Sequence, residues 1–360
     1  MVDASVQRQD DGRIISLDAM RGIASLVVVV YHLPYIYGFK MQYAYLAVEF
    51  FFILSGWVMA HSYEERIGNG LPFKNFALNR LARLYPLYLC ATLFGFLVML
   101  VKMRFGTPSA NLACLVPNAF LLPCINPVGT AFPLNGPAWS IFVEVAVNIL
   151  WFFAVWLGLS ALRWKFALHL CFTVLLWGTA IYSHRYMGGF NPNDLHEGLY
   201  RGLLGFSGGI LLFSFRRQPW ILVYFAIVTI AVLLAFGLRG DSGGVTPLAF
   251  VVMGLLPVLV WLAAWWRPAM LENSFCAYLG DISYAVYLLH LPLAILLQKP
   301  LRLLLPGPGI SSIALKSLIF SALLIVLSTA SFRCLEMPAR RWLLRRFRNG
   351  DRQQLSFPAR

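Results

Sequence analysis

The chain is 360 residues long, 59% hydrophobic and only 12% charged, a composition that excludes a soluble globular domain and points to a polytopic helical membrane protein. Its formal charge of +14 would suggest nucleic acid in a soluble protein, but the basic residues gather in short connections and at the C-terminus, as orientation signals do, so no nucleic-acid partner is expected. Six cysteines, none in a C-x-x-C spacing and most inside apolar runs, speak against a metal cluster, and no metal is expected.

Residues 1–13 are polar with charges of both signs, and the apolar run after them lacks a small-residue cleavage site, so no removable signal peptide is expected. Windows of about 20 apolar residues give ten spans, near 14–37, 42–61, 79–101, 137–159, 166–183, 199–215, 220–237, 246–266, 279–298 and 311–333. The expected fold class is therefore all-α, an integral-membrane bundle of about ten transmembrane helices. With the N-terminus cytoplasmic, the inner side receives Arg8, Arg13, Arg66, Lys74, Arg80, Arg83, Arg163, Lys165, Arg216, Arg217, Arg267 and the arginines from Arg340 onward. The outer connections hold about half as many, so both termini are expected to be cytoplasmic. No repeat and no separate soluble domain is visible. The expected organisation is a segment 1–13, one membrane domain at 14–335 and a basic tail at 336–360.

The first span carries Arg21 and His32, separated by about 16 Å of helix rise and close to three full turns, so both leave one helix face at different depths. Ionisable groups within a span ordinarily face a pathway or pocket. The alternative is an arginine snorkelling into head groups and a neutral packing histidine. In the second span, Glu49 reads as a pathway residue or a solvated cap, and Ser55-Gly56 as a place where a ligand or another helix comes close. Arg80 and Arg83 open the third span on one face at the inner boundary, either as orientation signals or as a forked pair suited to phosphate.

The connection over 102–136 is rich in Pro and Asn, and its apolar run Leu112 to Leu122 is too short to cross, so it is expected to fold over the outer mouth. Cys114 and Cys124 lie in it, where a disulfide could survive; whether they pair stays open. The fourth span enters from outside through Pro137, Trp139 and Ser140, placing Glu144 about two turns in, at nearly the depth of His32. A carboxylate on one imidazole nitrogen would raise the basicity of the other, the arrangement a general base needs; an ion pair that only holds the bundle is the competing reading. In the ninth span Ser283, Tyr287 and His290 form a polar stripe at helical spacing, with His290 either a structural hydrogen-bonder or functional. Glu336 closes the tenth span at about the level of Arg21, Arg80 and Arg83, which it could orient. The following Arg340 to Arg348 segment alternates basic and apolar residues, as an anchor or as a helix lying on anionic membrane lipids.

Together these segments resemble the membrane-bound acyltransferase-3 family, whose members O-acylate lipopolysaccharide, peptidoglycan, exopolysaccharides and related glycans or small molecules. The resemblance rests on Leu17 to Ala24 with His32, Phe51 to Gly56, Arg80 to Pro86, Pro137 to Glu144, Ser283 to His290 and Glu336 to Pro338, in family order over nearly the whole chain. It implies a ten-helix domain using cytoplasmic acyl-CoA, with Arg21 and His32 matching the family's arginine, ten residues and histidine, and Arg80 and Arg83 matching the R-x-x-R element tied to acyl-CoA. By the same resemblance Glu144 matches the acidic residue of the W-S-x-x-x-E element. Some members carry a further C-terminal esterase-like domain or an extra span; this chain stops shortly after the core, which leaves open whether transfer to the acceptor is direct.

The expected function is thus an inner-membrane O-acyltransferase moving an acyl group, acetyl being favoured, from acyl-CoA to a hydroxyl of a cell-envelope or exported saccharide. His32, Glu144 and Arg21 are the expected catalytic residues, and Arg80, Arg83, Ser55 and Gly56 the expected acyl-CoA contacts. Glu49, Trp139, Ser140, Ser283, Tyr287, His290 and Glu336 are expected along the pathway or as orienting groups. The expected partners are a saccharide or glycolipid acceptor and membrane lipids, with a separate periplasmic partner left open. The rival expectation is a non-enzymatic transporter or exporter of an anionic metabolite, which would also need buried arginines.

Overall fold

The computed structural model describes residues 14–104, 112–124, 130–183, 186, 188–238, 245–307 and 309–354. The expected N-terminal segment 1–13, with Arg8 and Arg13, the end of the tail at 355–360, and parts of the outer connection at 105–111 and 125–129 lie outside the described residues. Among the described residues there is no strand; every expected span contains a helix. These are α1 (Ile15–His32), α2 (Ala47–Gly68), α3 (Phe73–Arg104), α4 (Ala138–Trp156), α5 (Leu162–Ser183), α6 (Leu195–Ser214), α7 (Trp220–Leu238), α8 (Leu256–Trp265), α9 (Ser274–Leu304) and α10 (Ile310–Ser331). α11 (Met337–Gln354) follows.

Eight helical stretches are long and apolar enough to cross a membrane, two fewer than the ten expected spans. One difference is α7, whose apolar stretch Trp220–Phe236 is shorter. The other is α6, which carries Glu197, Arg201 and five glycines that lower its hydropathy. α6 is nonetheless central to the bundle. Gly56 of α2 faces the Phe206 carbonyl of α6 and Gly209 of α6 faces the Ile53 carbonyl, so a Cβ at either position would strike backbone. That approach aligns two helices along much of their length, as small residues do between membrane helices.

α1 and α9 pack side by side and parallel, because Asp18 meets Gly280 while His32 meets His290. Gly22 and Gly280 permit the approach; a Cβ on Gly22 would come 2.7 Å from Leu279 Cβ. α9 begins cleanly where Asn273 Oδ1 accepts the Cys276 amide at 2.9 Å, and runs through Pro292 and Pro300. The last span passes from α10 into α11 through a π-helical turn, Phe332–Glu336, an insertion that rotates the side chains beyond it.

The outer connection is tied by a disulfide between Cys114 and Cys124, with Cα atoms 5.3 Å apart. Its short helix Leu115–Ala119 reaches the bundle: the Tyr85 hydroxyl donates to the Ala119 carbonyl at 3.1 Å, and that of Tyr88 to the Asn118 carbonyl. This piece, expected over the outer mouth, braces α3.

Candidate active site

Charged groups deep in an apolar bundle must be paired or face a cavity, since an uncompensated buried charge costs several kcal/mol. Arg21 satisfies this from α1. Its Nε donates to Ser283 Oγ at 2.9 Å, its Nη2 donates to the Gly280 carbonyl at 2.7 Å and the same nitrogen lies 3.0 Å from Asp18 Oδ1. The α1 arginine is therefore fastened to the opening of the Ser283–Tyr287–His290 stripe.

Arg80 of α3 reaches Glu144 of α4, Nη2 to Oε1 at 2.6 Å, and Ser55 of α2 donates to the same oxygen at 3.2 Å. Arg80 was expected at the inner boundary and Glu144 near the outer one, so their contact places both in mid-bundle. This corrects the expected pairing of Glu144 with His32. Matched depth along two helices fixes height but not direction, and a permanently charged guanidinium attracts a carboxylate more strongly than a neutral imidazole does.

His32 instead meets His290. His290 is completely buried, its Nδ1 3.2 Å from the Val286 carbonyl and its Nε2 3.3 Å from His32 Nδ1, which lies 3.0 Å from the Val28 carbonyl. The carbonyls can only accept, so the network assigns a proton to Nδ1 of each ring. His290 Nε2 then accepts from His32, and the His32 Nε2 lone pair remains available for a proton.

A cavity of about 770 Å³ lies between these groups, with Arg21, Ser55, Arg83, Glu144, Tyr287 and Arg340 among its walls. Its α2 wall runs from Ser62 to Val48, about 21 Å of helix rise. At its far end Tyr287 and Ser140 join hydroxyls at 2.7 Å, and Ser140 donates to the Pro137 carbonyl at 3.0 Å. His290 sits one turn beyond Tyr287 on α9, and neither histidine lines the cavity. Arg83 and Arg340 line it without a hydrogen bond or ion pair among the described residues. Glu336, in the π-helical turn, lines the same wall and keeps Oε1 buried without a hydrogen bond.

Three expected site residues lie elsewhere. Gly56 is turned to α6 and not to the cavity. Glu49 is neither a pathway residue nor a solvated cap: it is 1% exposed and paired with Arg201 of α6, Nε to Oε1 at 2.6 Å. Trp139 forms one face of that cluster, its ring 4.9 Å from Arg201 Cζ, with Tyr186 at 5.5 Å on the guanidinium as well. Arg201, which also donates to the Gly188 carbonyl at 2.6 Å, was not among the expected residues. A lone arginine inside an apolar run was the signal for it. Arg340 was read with the basic tail, as an anchor or part of a helix lying on anionic lipids, and it lines the cavity instead.

A family model described as an acyltransferase domain matches residues 14–332, most of the chain. The chain belongs to the acyltransferase-3 family. It is also 36% identical over 151 residues to "Protein 2 in picA locus" of Rhizobium radiobacter, an alignment covering 38% of this chain and 79% of that protein. No solved structure gives a significant match. The protein is accordingly a multi-pass membrane acyltransferase. In this acyltransferase-3 chain the cavity carries four arginines, Arg21, Arg80, Arg83 and Arg340, and four carboxylates, Asp18, Glu144, Asp281 and Glu336, while the histidine pair lies apart from it with Tyr287 between them.

Proposed function

We propose that the protein is an acyl-CoA-dependent O-acyltransferase of a bacterial inner membrane, with both termini cytoplasmic. In this reading it moves an acyl group, most simply acetyl, to a hydroxyl of a cell-envelope or exported saccharide. The membrane domain is residues 14–335, and the tail from 336 contributes Arg340 to its cavity. The observation that carries the reading is the cavity itself: a deep cleft in which Arg83 and Arg340 make no hydrogen bond or ion pair among the described residues, bordered by the Tyr287 and Ser140 hydroxyls one turn from His290, whose Nε2 holds His32 with the His32 Nε2 left unengaged. Anionic phosphates suit Arg83 and Arg340. Arg80, held by Glu144, serves to shape the wall.

In the reaction, the donor thioester lies toward Tyr287 and Ser140. His32 Nε2 takes the acceptor hydroxyl proton as the oxygen forms its bond to the acyl carbon; the carbon–sulfur bond breaks, and the imidazolium returns the proton to the CoA thiolate. His290 and the Val28 carbonyl hold the imidazole in the required tautomer. Purified protein incubated with acetyl-CoA should release free CoA slowly by hydrolysis and faster with an acceptor. Mass spectrometry of surface glycans from deletion and wild-type cells should show loss of an acyl group. An exporter of an anionic metabolite would release no CoA, and that result would overturn the reading.

A further inference from the structure

At the end of the cavity away from Tyr287, Ile14, Trp57 and His61 are shared with a second lobe of about 230 Å³. The rest of its wall carries Arg216 and Arg217, which follow α6, and Trp265 and Arg267 at the end of α8. Three guanidinium-bearing residues meet there, and none of the residues lining the lobe is acidic. Arg217 and Arg267 make no hydrogen bond or ion pair among the described residues. Orientation signals account for arginines on this side of the protein but not for their convergence on an aromatic floor.

That floor is made by Trp57 and His61, backed by Phe213; the three ring centroids lie 5.3, 5.4 and 5.6 Å apart. Arg216 covers Phe213, with Cζ 4.5 Å from the ring centroid. Arg267 adds an independent signal. Its φ of 46° is left-handed, a conformation that glycine ordinarily supplies after a helix, and backbone strain kept on a bulky residue concentrates at ligand sites. Aromatic faces hold a purine by stacking, and forked guanidiniums hold a phosphomonoester.

We propose that this lobe binds the 3′-phosphorylated adenine nucleotide end of CoA, an inference that rests on the acyl-CoA reading above. His61 and Val48, on the two ends of the α2 wall, are about 20 Å apart along the helix, a distance that an extended phosphopantetheine arm spans. The nucleotide then lies on Trp57 and His61, its 3′-phosphate faces Arg217 and Arg267, and the thioester reaches Tyr287.

The test uses the full chain in detergent and three donors: acetyl-CoA, acetyl-dephospho-CoA, which lacks the 3′-phosphate, and acetyl-phosphopantetheine, which lacks the nucleotide. Free thiol released is followed for each. Loss of the 3′-phosphate should lower kcat/KM by about 10-fold to 100-fold, mostly through KM, since charged hydrogen bonds are at stake. R217Q and R267Q should each narrow the ratio between acetyl-CoA and acetyl-dephospho-CoA, a comparison internal to each variant and so insensitive to its yield of folded protein. Equal use of both donors by the wild type, or an unchanged ratio in both variants, overturns the inference and leaves the acyl-CoA reading standing. The latter outcome would assign these arginines to lipid head groups. Turnover of none of the three donors overturns both.

Discussion

The histidine pair gives the sharpest prediction, because its two rings make unequal contacts. His32 Nδ1 has two acceptors, the Val28 carbonyl at 3.0 Å and His290 Nε2 at 3.3 Å. Removing the His290 ring therefore leaves the shorter of the two. A hydrogen bond between neutral groups is worth about 0.5–1.5 kcal/mol net, so His290→Ala should slow acylation by about 2-fold to 12-fold. His32→Ala removes the proton acceptor itself and should slow it by about 10²-fold to 10⁴-fold. His290→Gln, whose side-chain oxygen can take the acceptor role of Nε2, should recover part of the loss in His290→Ala. The assay is acylated glycan formed per unit of membrane-inserted protein, with insertion measured on the same membranes. Near-normal acylation in His32→Ala would end this mechanism. A His290→Ala loss as deep as that of His32→Ala would move the proton transfer to α9.

Other expectations follow from the cavity walls. Glu144→Ala leaves the Arg80 charge unpaired and should destabilise the protein in detergent by about 3–5 kcal/mol, whereas replacing both residues together by apolar ones should cost less; thermal unfolding of the single and double variants checks this. Arg83→Ala and Arg340→Ala should raise KM for acyl-CoA by about 10-fold or more with insertion near normal, and unchanged KM in both would return them to orientation signals. Reducing the bond between Cys114 and Cys124, or replacing both by Ser, should lower stability by roughly 2–3 kcal/mol for so short a loop, read as a fall in Tm under reducing conditions.

Hydropathy placed a helix in every expected span because a membrane helix must bury its backbone polar groups internally, and that requirement writes itself into runs of apolar residues. It marked α6 as well, but not that the charge of Arg201 is neutralised by Glu49 from 152 residues away, a partnership that composition does not encode. The site was legible in residue type and less so in pairing. Arg21, Ser55, Arg83, Glu144, Ser140, Ser283, Tyr287 and Glu336 do line one cavity. Depth along a helix comes from counting residues, but direction around its axis depends on how neighbours pack. For that reason His32 and Glu144, level in the count, face different partners. Gly56 shows the same limit: a small residue invites close approach, and only the fold decides that the visitor is the α6 backbone.

The dead end at Tyr287 and Ser140 also bears on what the membrane can tolerate. A cleft of about 770 Å³ opened into a bundle would short-circuit the ion gradients of its cell if it ran through. Among the described residues the cavity lining stops at the hydroxyl pair, with a wholly buried His290 behind it. If the donor is acyl-CoA, as proposed, the bulky, charged CoA would be admitted from one side without being let out on the other. Only the acyl fragment has to negotiate the seal, so the bore around Tyr287 should act as a gauge for acyl length. Enlarging it should trade tightness to protons for a broader choice of acyl group.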